Sequence, residues 1–410
     1  MPRPLKILSH HIFYPPEYLG VAVYSGEMCE WLASRGHDVR VVCPPPYYPH
    51  WAVQQPYSGW RYVAESLGAV QITRCPIWLP SQPGGISRAL YAASFALSSF
   101  PALLREIFRR PDVIFVTEPS FLNAVASLLA AKLCGALSWM HVQDFELDIA
   151  FDMGQFRSSG LRRFVSSLES CVMRRFDVVS TISGRMMDRL EAKGVVEQRR
   201  VLFPNWIDTE SVFPMEQPSP LRRELAIPAE AFVALYSGSL GRKQGIELLV
   251  DAARLLLDRP MIRIVICGDG VGLPKLREMA RDLPNVQFVP SQLPERRNDL
   301  FNMADIHLLP QRPSVADLVM PSKLLGMLAS GRPVVATAHH GSEVASVVGE
   351  CGIVVPPEDP AALANAITAL SENEQERIRL GAKARGYAAQ NFHRDAILAA
   401  FETRLCSASM

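Results

Sequence analysis

The chain predicts two consecutive open α/β domains, each a parallel sheet with helices on both faces. Three observations carry this. Short apolar runs alternate with helical patterns throughout, which is the signature of βαβ units. A proline-dense stretch, RVLFPNWIDTESVFPMEQPSPLRRELAIP, interrupts the alternation and marks a domain boundary. Polar and glycine-rich loops follow the strand runs, where open α/β sheets bind ligands. The pattern therefore predicts a ligand in a cleft between the domains.

The first series begins with the strand LKILSHH. The loop HIFYPPEYLG and the helix VAVYSGEMCEWLASRG, ending on Gly36, come next, then the strand DVRVVC. A long Pro- and Tyr-rich loop, PPPYYPHWAVQQPYSGW, suits either a functional loop or a rigid surface excursion. GAVQITRCP is a strand. ISRALYAASFALSSFPALLREIFRR reads as one long helix or a pair broken at Pro101. DVIFVTEP, ALSWMH and DVVSTI are strands, with helices from Phe121, from about Ser158 and from Gly184.

The second series runs AFVALYSGS, a helix from Gly245, MIRIVICGDG, a helix near Leu273, NVQFVP and ADIHLLP. It continues with a helix and strand in MPSKLLGMLASGRPVVAT, then GIVVPP and two helical segments from about Pro360. Pro321 suits a first helical position. Leu324, Leu325, Leu328 and Ala329 form one apolar face, and Gly331 sits where a C-terminal cap belongs. Two residues break local rules. Lys323 puts a cation in the first turn, where the helix dipole prefers an anion. Gly326 sits mid-helix at a cost of about 1 kcal/mol relative to Ala. An anionic ligand at this helix start explains both: Lys323 and free amides hold phosphate, and Gly326 lets a bulky group lie on the helix. An exposed Lys and a tolerated Gly are the plain alternative.

Composition narrows the class. The chain has 410 residues, of which 49% are hydrophobic and 20% charged, with net charge +1. The first half is mildly basic and the second mildly acidic, neither enough for nucleic acid. Eight scattered cysteines without a C-x-x-C phrase argue against a zinc site or disulfide framework and fit a reducing cytosol. MPRPLKILSHH reads as a strand entry, not a signal peptide. No run is apolar for the ~18 residues a membrane span needs.

Several phrases then resemble a known family. SGSLGRKQGIELLVDAARLL, IVICGDGVGLPKL, NVQFVP, ADIHLLP and MPSKLLGMLASGRPVVAT look like the C-terminal half of family-4 retaining glycosyltransferases. TISGRMMDRL and VLFPNWIDTESVFP resemble the interdomain part. YPPEYLGVAVYSGEMCEWLASRGHDVRVVCPPPYYPHW and HVQDFELD are similar to the colanic-acid-type enzymes of bacterial exopolysaccharide synthesis, a branch usually labelled fucosyltransferase. The resemblance covers nearly the whole chain.

It implies the GT-B fold, with two Rossmann-like domains facing across a cleft. Residues 1–205 would bind the acceptor and 206–390 the nucleotide sugar, with a terminal helix over 391–410 crossing back onto the first domain. It implies a GDP- or UDP-linked donor, a polyprenyl-linked saccharide acceptor and no metal. It also implies a cytoplasmic enzyme, peripheral on the inner face of the cytoplasmic membrane. The nucleotide-sugar contacts it implies are Gly20, Ser239, Arg242, Lys243, Gly268, Asp269, Gln292, Ser322, Lys323 and Leu324. The sequence departs from the family in places. Leu318 and Gly326 stand where two glutamates are usual, with Asp317 beside the first. Ser239 and Gln244 replace an Arg and a Lys.

A departing sugar diphosphate develops negative charge, so catalysis needs fixed cations and N–H groups around it. Lys323, Lys243, Arg242 and the turn amides of Gly268 to Gly270 have the right chemistry. A solvated basic turn and a tight strand–helix turn are the alternatives for the last two sets. His141, Gln143 and Asp144 are the catalytic candidates. Gln143 aligns with the family's loop histidine, and Asp144 is either an acceptor-orienting carboxylate or a turn residue. His141 reads rather as a strand-end residue with a satisfied ring. His339 and His340 read as a loop near the sugar, since no acidic partners cluster with them for a metal.

The helix RSSGLRRFVSSLESCVMRRF places Leu161, Phe164, Val165, Leu168, Val172 and Phe176 on one face, flanked by Arg157, Arg162, Arg163, Arg174 and Arg175. The helix from Leu90 to Arg110 is similar. Both suit either ordinary packing or an anionic membrane surface. The alternatives to glycosyl transfer are a nucleotide-sugar epimerase and a non-catalytic nucleotide-sugar-binding partner.

Overall fold

The computed structural model describes residues 3–17, 20–81, 84–145, 147–148, 159–241, 244–312 and 321–409. It divides into two compact units: 1–204 with 396–410, and 205–395.

The first unit holds eight strands in the order β3-β4-β2-β1-β5-β6-β7-β8. They are β1 (Lys6–His10), β2 (Asp38–Cys43), β3 (Val63–Leu67), β4 (Val70–Arg74), β5 (Val113–Glu118), β6 (Leu137–Val142), β7 (Val178–Thr181) and β8 (Arg200–Leu202). All pairs are parallel except the edge hairpin of β3 and β4. β3 was not expected. Four of its five residues are exposed, so it shows no alternation, and only Gly68, with φ 55°, betrays the turn.

Side-chain alternation assigns the two faces of this sheet. Ile114 packs with residues of α2 (Gly85–Ile107) and α3 (Phe121–Cys134), among them Phe95, Leu103, Ala126 and Ala130. Phe115 points the other way and meets Phe401 of α14 (Arg394–Ala408) edge-on at 5.8 Å. On that side Trp31 of α1 (Val21–Ser34) donates to Glu402 at 3.3 Å. α2 runs unbroken through Pro101, which settles the choice between one helix and two. The carbonyl that Pro101 leaves without a donor is that of Leu97, and both residues are exposed to water. α4 (Ser159–Met173) and α5 (Gly184–Ala192) complete the unit. On α4 the expected single apolar face is split: Val172 is buried, while Phe164 and Leu168 face solvent.

The second unit is a six-stranded parallel sheet in the order β11-β10-β9-β12-β13-β14. Its strands are β9 (Phe232–Ser237), β10 (Ile262–Cys267), β11 (Val286–Val289), β12 (Ile306–Leu309), β13 (Val334–Thr337) and β14 (Gly352–Val355). They read as continuous Val/Ile/Leu runs because both faces are covered. Phe232, Ala234 and Tyr236 face α7 (Glu247–Leu255), α8 (Leu273–Met279) and α12 (Pro360–Glu372). Val233 and Leu235 face α6 (Pro220–Glu224) and α9 (Arg297–Asn302). α10 (Lys323–Ala329), α11 (Glu343–Cys351) and α13 (Glu374–Asn391) finish the unit. The closing segment from Pro360 is three helices, not two, because Asn373 caps α13 and Phe392 ends it. No helix among the described residues is long and apolar enough to cross a membrane.

Candidate active site

In the first unit the candidate residues gather where β6 ends. His141 is buried, with Nδ1 2.9 Å from Ser180 Oγ and Nε2 2.9 Å from Gln143 Nε2. Trp139 Nε1–H also donates to Ser180 Oγ, at 2.8 Å. With the Gln143 amide donating to Nε2, Nδ1 carries the proton and donates to Ser180. Burial lowers the ring's pKa to about 3, so His141 stays neutral and is a poor base. It orients Gln143, which is itself buried.

Asp144 follows and is half-buried. Its charge raises the pKa of Tyr48, after the larger effect of burial, which places it near the Tyr-rich loop. The residues beyond it are anchored. Phe145 is buried beneath Lys193, whose Nζ lies 5.4 Å from the ring centroid. Asp148 pairs with Lys193 and Arg189, each at 3.1 Å, and Lys193 also pairs with buried Glu169. Asp144 thus sits between two fixed points, the His141–Gln143 pair and the Lys193 cluster.

Gly20 precedes α1 with φ 58°, a conformation that favours glycine. Sequence reasoning missed Glu17 in the same loop. Its carboxylate is buried and accepts the N–H groups of Tyr47 (2.8 Å) and Tyr48 (2.7 Å), tying the PPEYLG loop to the Tyr-rich loop. Burial pushes its pKa up to about 7. The available signal was that Glu17 is the one acid in that strand-end loop.

In the second unit the strand-end loops are knitted together. A side chain at Gly268 would overlap the Gly238 carbonyl, and one at Gly270 would overlap Leu240. Leu240 N–H donates to Asp269 O at 2.9 Å, and Asp269 Oδ2 accepts Ser291 N–H at 3.1 Å. The Gly268 amide donates to Val289 O at 3.0 Å, so it is engaged within the fold and does not face a phosphate as its turn position suggested. Gln292 Nε2 turns back onto Pro290 O at 2.9 Å.

Lys323 stands over this platform. Its Nζ donates to Tyr236 OH at 2.9 Å, lies 4.4 Å from the Tyr236 ring centroid, and would be 3.3 Å from a Cβ at Gly238. Tyr236 OH in turn donates to the carbonyl of Ser239, at 2.7 Å. Burial of the ammonium lowers its pKa from 10.5 to about 7. Tyr236 was not foreseen; it was hidden among the apolar residues of β9.

Three expectations for this helix change. It begins at Lys323, with Ser322 at the N-cap, and not at Pro321, although Leu324 N–H closes a turn onto Pro321 O at 3.0 Å. That amide is therefore engaged, and Leu324 is fully buried. Gly326 does not make room for a ligand: a side chain there would overlap the ring of Phe301, which packs edge-on against His307. Gly331 keeps its expected role, with φ 69° just past the helix end. His339 and His340 are exposed after β13. Among the described residues no group of His, Cys, Asp or Glu is disposed to hold a metal ion. Arg242, Lys243, Glu146, Arg157, Asp317 and Leu318 lie outside the described residues.

Residues 20–206 match the Glycosyl transferase 4-like domain, and residues 231–373 match Glycosyl transferases group 1. Over 369 residues the chain is 38% identical to the putative colanic acid biosynthesis glycosyl transferase WcaI of Escherichia coli (strain K12), covering 88% of this chain and 90% of that one. The chain belongs to the glycosyltransferases. Solved structures agree on the fold. Sucrose-phosphate synthase from Thermosynechococcus elongatus superposes on this glycosyltransferase with a TM-score of 0.78 at 18% identity, over 98% of each chain. Anabaena Alr3699/HepE, in complex with UDP and glucose, gives 0.72 at 17% identity, over 98% of this chain and 100% of that one. The glycosyltransferase therefore has the GT-B fold, two parallel-sheet α/β domains.

Proposed function

We propose that the enzyme transfers a hexosyl or fucosyl group, with retention of anomeric configuration, from a GDP- or UDP-linked sugar. The acceptor is a polyprenyl-linked saccharide in surface polysaccharide assembly, and no metal is required. The observation that carries the donor reading is Lys323. Lys323 is half-buried, its ammonium is desolvated by the fold and donates to a tyrosine hydroxyl, and among the described residues no carboxylate pairs with it. A diphosphate supplies the counter-charge. The HepE complexes with UDP and UDP-glucose support a nucleotide ligand by analogy of fold alone. The name of the WcaI relative supports the polysaccharide.

In the proposed reaction the bond between the sugar's anomeric carbon and the diphosphate oxygen breaks. Lys323 neutralises the charge gathering on the diphosphate. An acceptor hydroxyl oxygen bonds to the same face of that carbon, and its proton passes to a phosphate oxygen or to the Asp144 carboxylate. Neutral His141 holds Gln143 beside this step. The test is calorimetric titration with UDP-, GDP- and dTDP-sugars in excess chelator. One nucleotide sugar should bind, and the free sugar should not. Absence of binding by all of them, or binding only after adding manganese or magnesium, would overturn the reading.

A further inference from the structure

We infer that the second unit carries a saccharide-binding cleft of its own, at the opposite end of its sheet from the Lys323 platform. The cleft has a volume of about 450 Å³, within the range of small-molecule sites. Phe232 and Ile262, the first residues of β9 and β10, line it. Gly238, against which Lys323 packs, follows the other end of β9. Open α/β sheets bind their usual ligands outside the carboxyl ends of the strands. This cleft lies at the amino ends and is therefore separate from the donor loops. Its back wall is complete within the fold. Arg222 donates to the carbonyls of Met303 (2.7 Å) and Ala231 (3.2 Å) and to the carboxylate of Asp305 (2.7 Å), which also accepts the Val233 N–H at 2.7 Å.

The mouth of the cleft selects the ligand. Arg377 lies over the Phe232 ring, 5.3 Å from its centroid, and donates through Nη1 alone, to the carbonyls of Leu370 (2.6 Å) and Ser371 (3.1 Å) at the end of α12. Its Nε and Nη2 have no partner among the described residues. Arg259 pairs through Nη1 with Glu372, and its Nε lies 3.9 Å from Asp258, which leaves Nη2 available. Glu230 is exposed and pairs with none of the described residues. The lining holds three arginines and three carboxylates, Glu230, Asp258 and Asp305, so it has no net charge to draw an anion or a cation. It offers donors and acceptors side by side instead. A guanidinium fork donates to two oxygens at once and a carboxylate accepts from two hydroxyls, which matches neighbouring hydroxyls that each donate and accept. Ala229, Pro260 and Met261, all exposed, give the C–H face of a sugar ring an apolar surface. An apolar ligand would strip water from these charges without pairing them. A free sugar and a segment of a saccharide polymer share this chemistry. The inference rests on the cleft alone and stands independently of the donor and acceptor reading above.

The experiment is saturation-transfer NMR on the full chain. The probes are fucose, lactose, cellobiose and the oligosaccharides of a partially hydrolysed bacterial exopolysaccharide. At least one probe should receive saturation at millimolar concentration. The double variant Glu230→Ala, Asp258→Ala should bind that probe at least tenfold more weakly with unchanged thermal melting, since both carboxylates are exposed. Arg377→Lys keeps the charge but removes the fork, so it should weaken binding as well, and it takes the place of the double variant if that one misfolds. Lys323→Ala, altered at the platform on the other end of the sheet, should bind the probe as the wild type does. Tighter binding of the oligosaccharides than of fucose would assign the cleft to a polymer segment, and equal binding would assign it to a free sugar. No saturation of any probe, undiminished binding in both cleft variants, or loss of binding in Lys323→Ala would each overturn the inference. Titration of the double variant with nucleotide sugars separates the two readings. Nucleotide binding without probe binding in the wild type sinks the cleft alone, and probe binding without nucleotide binding sinks the donor reading alone.

Discussion

Lys323 is held in a state that the folded protein resists. Its pKa falls from 10.5 to about 7 because the fold desolvates the half-buried side chain, with Tyr236 OH as hydrogen-bond partner. Between those values the unfolded chain binds a proton that the folded chain does not, so ligand-free stability rises with pH across that window. Lys323→Ala should remove this slope and leave the ligand-free melting temperature unchanged or higher at pH 7. Its affinity for the donor nucleotide should drop at least tenfold. At pH 8 the wild type should take up close to one proton on binding the nucleotide, read by calorimetry in two buffers of different ionisation enthalpy. A collapse of ligand-free melting would make Lys323 a structural residue, and unchanged affinity would place the diphosphate elsewhere. Asp144→Asn should fold and bind donor normally but turn over on the order of 10² to 10⁴ more slowly. Near wild-type turnover would return Asp144 to the role of a turn residue.

At the scale of elements, the helix α10 shows what a sequence reveals and what it hides. Its apolar face, Lys323 in its first turn and its closing Gly331 are local features and were legible. The reason for Gly326 was not, because Phe301 lies 25 residues away in sequence and reaches the helix only through the fold. Restoring the family's glutamate by Gly326→Glu should therefore destabilise the protein, by about 1–3 kcal/mol for overpacking and more for the buried carboxylate. Urea unfolding measures this; a variant as stable as wild type would show that Phe301 can move aside. The same contrast recurs elsewhere. Buried strands announced themselves as Val/Ile runs, whereas exposed β3 carried no periodic signal. Glu17 and Tyr236 acquire meaning only through distant partners, the Tyr47 and Tyr48 amides and the Lys323 ammonium.

The whole molecule carries its own signature in acid. His10, His11, His141 and His307 are all buried, with pKa values lowered by burial to about 3. Each is neutral when folded and would take a proton below about 6.5 when unfolded. The histidines' contribution to stability is therefore fully present above that pH and should be lost steeply as pH drops from 6.5 toward 3. Flat urea-unfolding midpoints between pH 7 and 5 would contradict this. The proposed activity draws on both units, Lys323 from the second and Asp144 from the first. The direct measurement is transfer of radiolabelled sugar from its nucleotide donor to a bacterial lipid extract in excess chelator, with the product's anomer assigned by NMR. Labelled lipid-linked saccharide with the donor's anomeric configuration retained is the expected product. An inverted product, transfer only with added divalent metal, or no labelled lipid at all would contradict it.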